Sequence, residues 1–136
     1  RNLAVMSELK TPILVVVTGE GGSGGALAIS VGDNIAMLQY ATYSVASPEA
    51  CASIIWRTAD KASDAAEAMK VSANELKKLK IIDEIIEEPL GGAHRDYDLI
   101  SSSIKDSLIK NLSALNSMSM EQVLDRRYKR LVEIGI

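Results

Sequence analysis

The chain has 136 residues, 47% of them apolar and 24% charged, with 15 Lys and Arg against 18 Asp and Glu for a formal net charge of −3. That is enough chain and apolar content for one packed domain, too apolar for a disordered segment, and without the run of about eighteen apolar residues that a membrane span needs. Charges of both signs are interspersed, so no electrostatic footprint points to nucleic acid or an anionic membrane as a partner.

Leu3, Met6 and Leu9 recur at threes and read as the last turns of a helix. With Arg1 in first place, no initiator Met and no signal-peptide pattern, the sequence reads as a fragment of a longer chain. Residues 12–18 are continuously apolar and β-branched up to Thr18, which predicts a strand buried on both faces of an α/β layer. At the carboxyl end of that strand stands Gly19-Glu20-Gly21-Gly22-Ser23-Gly24-Gly25-Ala26, with five glycines in seven positions. Glycines let backbone N–H groups approach a ligand with no Cβ in the way. The first turn of a following helix leaves its N–H groups unpaired at the positive end of the helix dipole, so the corner is a candidate anion site. Ala26, Leu27, Ala28, Ile29 and Val31 predict a tightly packed helix that stops at Gly32-Asp33-Asn34.

Residues 35–40 predict a second strand and residues 43–45 a short third. Ser47 is then placed to cap a helix with Pro48 at its first position and Glu49 in its first turn. Cys51, the only cysteine, lies among Ala50, Ala52, Ile54 and Ile55 and is expected to be a small core residue; it cannot form an internal disulfide, which fits a reducing cytosol. Asp60 or Ser63 is expected to open a helix through Ala65, Ala66 and Met69, and Ser72 with Glu75 reads as the capping box of another. Residues 81–86 return to a strand pattern. After the Gly91-Gly92 loop, two amphipathic helices follow, with Leu99, Ile100, Ile104, Leu108, Ile109 and Leu112 on one, and Val123, Leu124, Leu131 and Ile134 on the other. Ser119 and Gln122 mark the start of the second, and residues 115–118 are the expected linker.

The glycine corner satisfies several motifs, none sufficient alone. Gly19-x-Gly21-x-x-Gly24 has the strand–turn–helix context of a dinucleotide fingerprint, but the next strand ends in Gln39-Tyr40 with no acid to hold a ribose. A phosphate loop fails because Gly25-Ala26 stands where Lys and Ser/Thr are needed. Gly21-x-Ser23-x-Gly25 fits the nucleophile elbow of a serine hydrolase, with His94 downstream. This is the alternative enzymatic reading; otherwise Ser23 is a helix-capping hydroxyl. One Cys and one His, far apart, do not make a structural zinc site, so no metal is expected in this chain. The basic group Arg126, Arg127, Lys129 and Arg130 is diluted by Glu121, Asp125 and Glu133 and reads as a solvated or interfacial face; His94 is read as a structural hydrogen-bonder with no assigned role.

Several ungapped blocks together carry a family resemblance. Residues 19–28 of the corner, Met37-Leu38-Gln39-Tyr40, Ser47-Pro48-Glu49, Ser53-Ile54-Ile55-Trp56, Ala59-Asp60-Lys61-Ala62, residues 88–95 and Arg126-Arg127-Tyr128 closely resemble the alpha subunits of the carboxyltransferase of bacterial-type acetyl-CoA carboxylases, in order and over the whole chain. The family's subunits are longer, so the chain is expected to be their carboxyl-terminal part.

The resemblance implies an α/β crotonase-like fold, a spiral of ββα units. Residues 1–95 would be the carboxyl-terminal part of the carboxyltransferase domain and residues 96–136 a helical extension. It implies transfer of a carboxyl group from carboxybiotin to acetyl-CoA, giving malonyl-CoA for fatty acid synthesis. The implied partners are a beta subunit in an α2β2 assembly that binds acetyl-CoA, the biotin carboxyl carrier protein, and a biotin carboxylase component that uses ATP. The implied location is the bacterial cytoplasm or the plastid stroma. By position in the motif, the backbone N–H groups of Gly24 and Gly25 are the expected oxyanion donors for carboxybiotin, and Gly21, Gly22 and Ser23 shape the approach. A rival of another class is a non-catalytic crotonase-like scaffold whose glycine corner merely turns the chain.

Overall fold

Every residue of β3 (Asn34–Leu38) is buried, as expected of a strand with a parallel neighbour on each side and cover on both faces. The computed structural model describes residues 1–134, and β3 is the middle strand of its main sheet. β1 (Leu14–Val17) lies on one side, with Val15 opposite Ile35 and Val17 opposite Met37. β5 (Glu84–Ile86) lies on the other, with Met37 opposite Ile85. A second, two-stranded parallel sheet pairs β2 (Glu20–Gly22) with β4 (Thr42–Ser44).

The chain alternates between these sheets. β1 leads to β2 and then α2 (Ser23–Ile29); β3 leads to β4 and then α3 (Pro48–Trp56). Two successive ββα units of this kind form the turn of a spiral. A short 3₁₀ turn (Ala59–Lys61), α4 (Ala62–Met69) and α5 (Ala73–Lys78) then bring the chain back to β5. A 3₁₀ turn at Ala93–Arg95 precedes α6 (Tyr97–Asn116), which packs on β1 and β5, and α7 (Met120–Val132), which reaches back to α1 (Asn2–Ser7). Ile35, Met37, Leu38, Ile82, Ile86 and Ile100 are the centre of the core.

The amino-terminal ends of the strands are tied down by carboxylates. Asp33, just before β3, accepts from the Ile13 N–H at 2.7 Å, and Asp83, just before β5, accepts from the Ile35 N–H at 2.7 Å. Each acid also holds an arginine of α7, so that helix crosses the sheet edge one residue pair at a time. Arg127 donates to both oxygens of Asp33, and Arg130 donates from Nη1 to Asp83 at 2.6 Å. Arg127 spends its remaining donors on the carbonyls of Met6, Ser7, Leu9 and Thr11 in the segment leading into β1. The basic group is therefore divided. Arg127 is 1% exposed and Arg130 is largely covered, while Lys129 reaches Asp125 in solvent. The expected solvated or interfacial face holds for only part of it.

Several local expectations change. β1 is half-buried except at Val17, because it is an outer strand of the sheet. The helix after the glycines buries Ala26 but leaves Leu27 57% exposed. Ser47 caps α3 as expected, accepting from the Ala50 N–H at 3.2 Å, and Ser119 with Gln122 forms the complete capping box of α7. Ser72 precedes α5 without accepting a cap bond, and Glu75 turns to Lys78, so neither half of the capping box forms. Neither Asp60 nor Ser63 opens α4; Thr58 caps the 3₁₀ turn before it. α6 runs on to Asn116 with Leu115 buried, so the linker is shorter than residues 115–118. Cys51 is half-buried, not part of the core. Among the described residues no helix is long and apolar enough to cross a membrane.

Candidate functional site

The glycine corner is built as a hinge between β2 and α2, at the end of the sheet opposite the arginine pairs. Gly21 is required by packing: a Cβ there would stand 3.1 Å from the Tyr43 ring and 3.4 Å from Val17. Tyr43 is Gly21's register partner on β4, which brings the ring against it. Gly22 is the residue before the helix, extended at φ −140° and ψ 158°. Ser23 follows at φ 55°, the left-handed region, where a residue with a side chain costs about 1–2 kcal/mol. This sharp reversal turns the strand into the helix within one residue.

Gly24 and Gly25 need a different explanation. Neither lies in the left-handed region, and a Cβ at either would meet nothing within 4 Å among the described residues. A glycine in a helix costs about 1 kcal/mol against alanine, and packing within this chain does not require it at either position. Both are exposed, and the space where their side chains would stand is open. Ser23, Gly24 and Gly25 are the first three residues of α2, so their N–H groups have no acceptor within the helix, and among the described residues no side chain caps them. Free amides at a positive helix end, with open space beside them, can hold an oxygen that carries or gains negative charge.

The five residues expected at the site, Gly21, Gly22, Ser23, Gly24 and Gly25, are thus brought together as one continuous hinge. A groove of about 280 Å³ opens beside it, lined by Ser23 and by mainly apolar side chains, among them Ala26, Leu27, Tyr43, Val45 and Met69. Ser23 does not cap the helix, contrary to one expectation, because it is itself the first helical residue. His94, which a serine hydrolase would need next to Ser23, is exposed in the Ala93–Arg95 turn and does not line the groove; its ring lies against Gly92.

Tyr43 is the part of the site that sequence reasoning missed. Its hydroxyl donates to the Ala26 carbonyl at 2.6 Å, inside α2, while its ring lies against Gly21 on the other side of the hinge. Burial raises the phenol above its ordinary value of 10.0, against smaller lowering contributions from Ser30 and Arg130, so the hydroxyl is a proton donor at neutral pH. The only signal was a tyrosine in a short strand, and the strand it pairs with consists of Glu20, Gly21 and Gly22, which show no apolar alternation.

A family model described as acetyl co-enzyme A carboxylase carboxyltransferase-like matches residues 1–135. The acetyl-coenzyme A carboxylase carboxyl transferase subunit alpha of Histophilus somni (strain 129Pt) is 62% identical over 135 residues, 99% of this chain and 43% of that protein. The subunit of the same name from Pseudoalteromonas atlantica (strain T6c) is 58% identical over 135 residues, 99% of this chain and 42% of that protein. The chain thus spans less than half the length of these relatives. Among solved structures, transcarboxylase 12S is similar with a TM-score of 0.55 at 21% identity, over 63% of this chain and 19% of that one. That likeness concerns the fold alone and agrees with a crotonase-like α/β architecture.

Proposed function

The chain belongs to the acetyl-CoA carboxylase carboxyltransferase alpha-subunit family, and from that membership we propose that it forms the biotin-side half of a carboxyltransferase active site. When bound, carboxybiotin supplies the carboxyl group that passes to the methyl carbon of acetyl-CoA, giving malonyl-CoA. The backbone amides of Gly24 and Gly25 hold the ureido oxygen of biotin, and Gly21, Gly22 and Ser23 shape its approach. Negative charge gathers on that oxygen as the bond from carboxyl carbon to N1 breaks. Donors already aimed there lower the barrier without reorganising, and one such donor is typically worth about 2.7–4 kcal/mol. Acid–base side chains are not required on this side, because the ureido group itself accepts the methyl proton.

The observation that carries this reading is the pair of uncapped amides at glycines whose missing side chains leave open space. The apolar groove alongside suits the hydrocarbon part of the same ligand. On this reading, acetyl-CoA is held by a beta subunit in an α2β2 assembly, biotin arrives on its carrier protein, and ATP is used by the separate biotin carboxylase. The setting is the bacterial cytoplasm or the plastid stroma.

The test is malonyl-CoA-dependent carboxylation of free biotin by the full-length subunit, with and without its beta partner. Carboxybiotin formed only by the pair supports the reading. Transfer by the beta subunit alone at the rate of the pair refutes it.

A further inference from the structure

Among the described residues, one side chain holds the exposed hinge at both of its ends. Gly22, Ser23, Gly24 and Gly25 are all exposed, and no side chain caps the helix they begin. On the strand side, Gly21 has the Tyr43 ring in close contact; on the helix side, the Ala26 carbonyl takes the Tyr43 hydroxyl at 2.6 Å. One buried side chain, 7% exposed, therefore spans the whole segment. The ladder between β2 and β4 holds Tyr43 opposite Gly21, and the Tyr43 N–H donates to the Val71 carbonyl at 3.1 Å, so the ring is mounted on backbone tied from two directions.

The Ala26 carbonyl already accepts the Ser30 N–H within α2 at 3.1 Å. The tyrosine bond is thus additional to the helical pattern. It does not make the helix; it fixes where the helix sits relative to β2. α2 has seven residues; Ala26 is buried in the core and Ile29 packs against it, and the tyrosine bond adds a polar tie to those apolar contacts.

We propose that Tyr43 is the positioning residue of the hinge, bracketing it from Gly21 to Ala26 so that the Gly24 and Gly25 amides point at one place. This rests on the carboxyltransferase reading above and adds to it a side chain that acts on the amides through the backbone it holds. Without the hydroxyl, α2 still forms and the amides remain, but their aim is no longer held. Displacements of about 1 Å in a group that positions the reacting atoms cost on the order of 100-fold in rate.

The experiment uses full-length Tyr43→Phe subunit assembled with its beta partner. Tyr43→Phe keeps the ring against Gly21 and removes only the bond to Ala26. The expected result is an intact assembly with a melting temperature within a few degrees of the parent, an unchanged KM for malonyl-CoA, and kcat for biotin carboxylation lower by about 10- to 100-fold. An unchanged kcat overturns the proposal. So does a loss that disappears when rates are normalised to assembled enzyme, which marks a stabilising role only. Gly25→Val is measured beside it: if that variant transfers at the parental rate, the carboxyltransferase reading of the hinge falls and Tyr43's role with it. If Gly25→Val is inactive and Tyr43→Phe is unaffected, only the positioning role falls.

Discussion

Arg127 and Asp33, 94 residues apart in sequence, form a two-bonded pair, Nε to Oδ1 at 2.8 Å and Nη2 to Oδ2 at 2.7 Å, with neither side chain more than 1% exposed. Arg127→Met leaves the buried Asp33 without its partner and removes the donor from the Ser7, Leu9 and Thr11 carbonyls as well. Removing one member of such a pair costs about 3–5 kcal/mol. Denaturant unfolding of the full-length subunit should show a loss of that size. Arg127→Lys should recover little of it, because an ammonium cannot fork to two carboxylate oxygens while also reaching the backbone.

Gly24→Ala and Gly25→Ala are expected to separate stability from activity. Each adds a methyl group into open space and raises helix propensity, so each should stabilise the subunit by about 0.5–1 kcal/mol. On the proposed reading, the same methyl group stands where the ureido oxygen approaches. Carboxyl transfer should fall, and with Gly25→Val it should fall by about 100- to 1,000-fold, because blocking access to an oxyanion donor costs as much as removing it. Thermal melting and biotin carboxylation on the same preparations decide the matter. Parental transfer rates in Gly25→Val, with assembly intact, favour a scaffold.

Ser23→Gly should raise the melting temperature, because glycine accepts the left-handed backbone that serine adopts at a cost. Ser23→Ala should leave carboxyl transfer close to the parent. Its protein and the parent should be equally unreactive toward a serine-directed phosphonate. Covalent labelling of the parent at Ser23, lost in Ser23→Ala, would establish the hydrolase alternative.

Glu84 links stability to pH. Burial acts first, to raise its pKa, but hydrogen bonds from Asn111, Ser107 and Lys110 together outweigh it, and the carboxyl lies below its ordinary 4.5. A folded-state pKa below the unfolded one gives stability that is complete above the unfolded value and lost as pH falls through the folded one. The parent should therefore lose more stability than Glu84→Gln between neutral pH and pH values below 4.5. Melting curves of both proteins across that range show it, and parallel curves contradict it.

What the sequence made legible was chemistry confined to a few neighbouring residues. Ser47-Pro48 and Ser119 with Gln122 are caps that act within one turn, and both form. The apolar run at residues 35–38 is buried because nothing else can be done with it in water. β2 was not legible, since Gly21 and Gly22 offer no side-chain period and pair only because β4 lies alongside. The same distance effect hid the arginine pairs: the spacing of Arg127 and Arg130 on one helix says nothing about Asp33 and Asp83 until the sheet places them at its edge. Ser72 shows the converse, a correct local pattern that lost its acid to Lys78.

The hinge was legible because Gly24 and Gly25 are costly where they stand, and a residue choice without a packing reason points outward. Tyr43 was not, because its role depends on which carbonyl lies above its ring.

Main-chain donors have an evolutionary consequence. The N–H groups of Gly24 and Gly25 are present whatever codon stands there, short of proline, so mutation cannot erase them the way it erases a histidine or a serine. On the proposed reading, an inhibitor that captures those amides meets a target that can escape at these two positions by crowding alone, and a side chain bulky enough to exclude the drug there also obstructs the natural visitor.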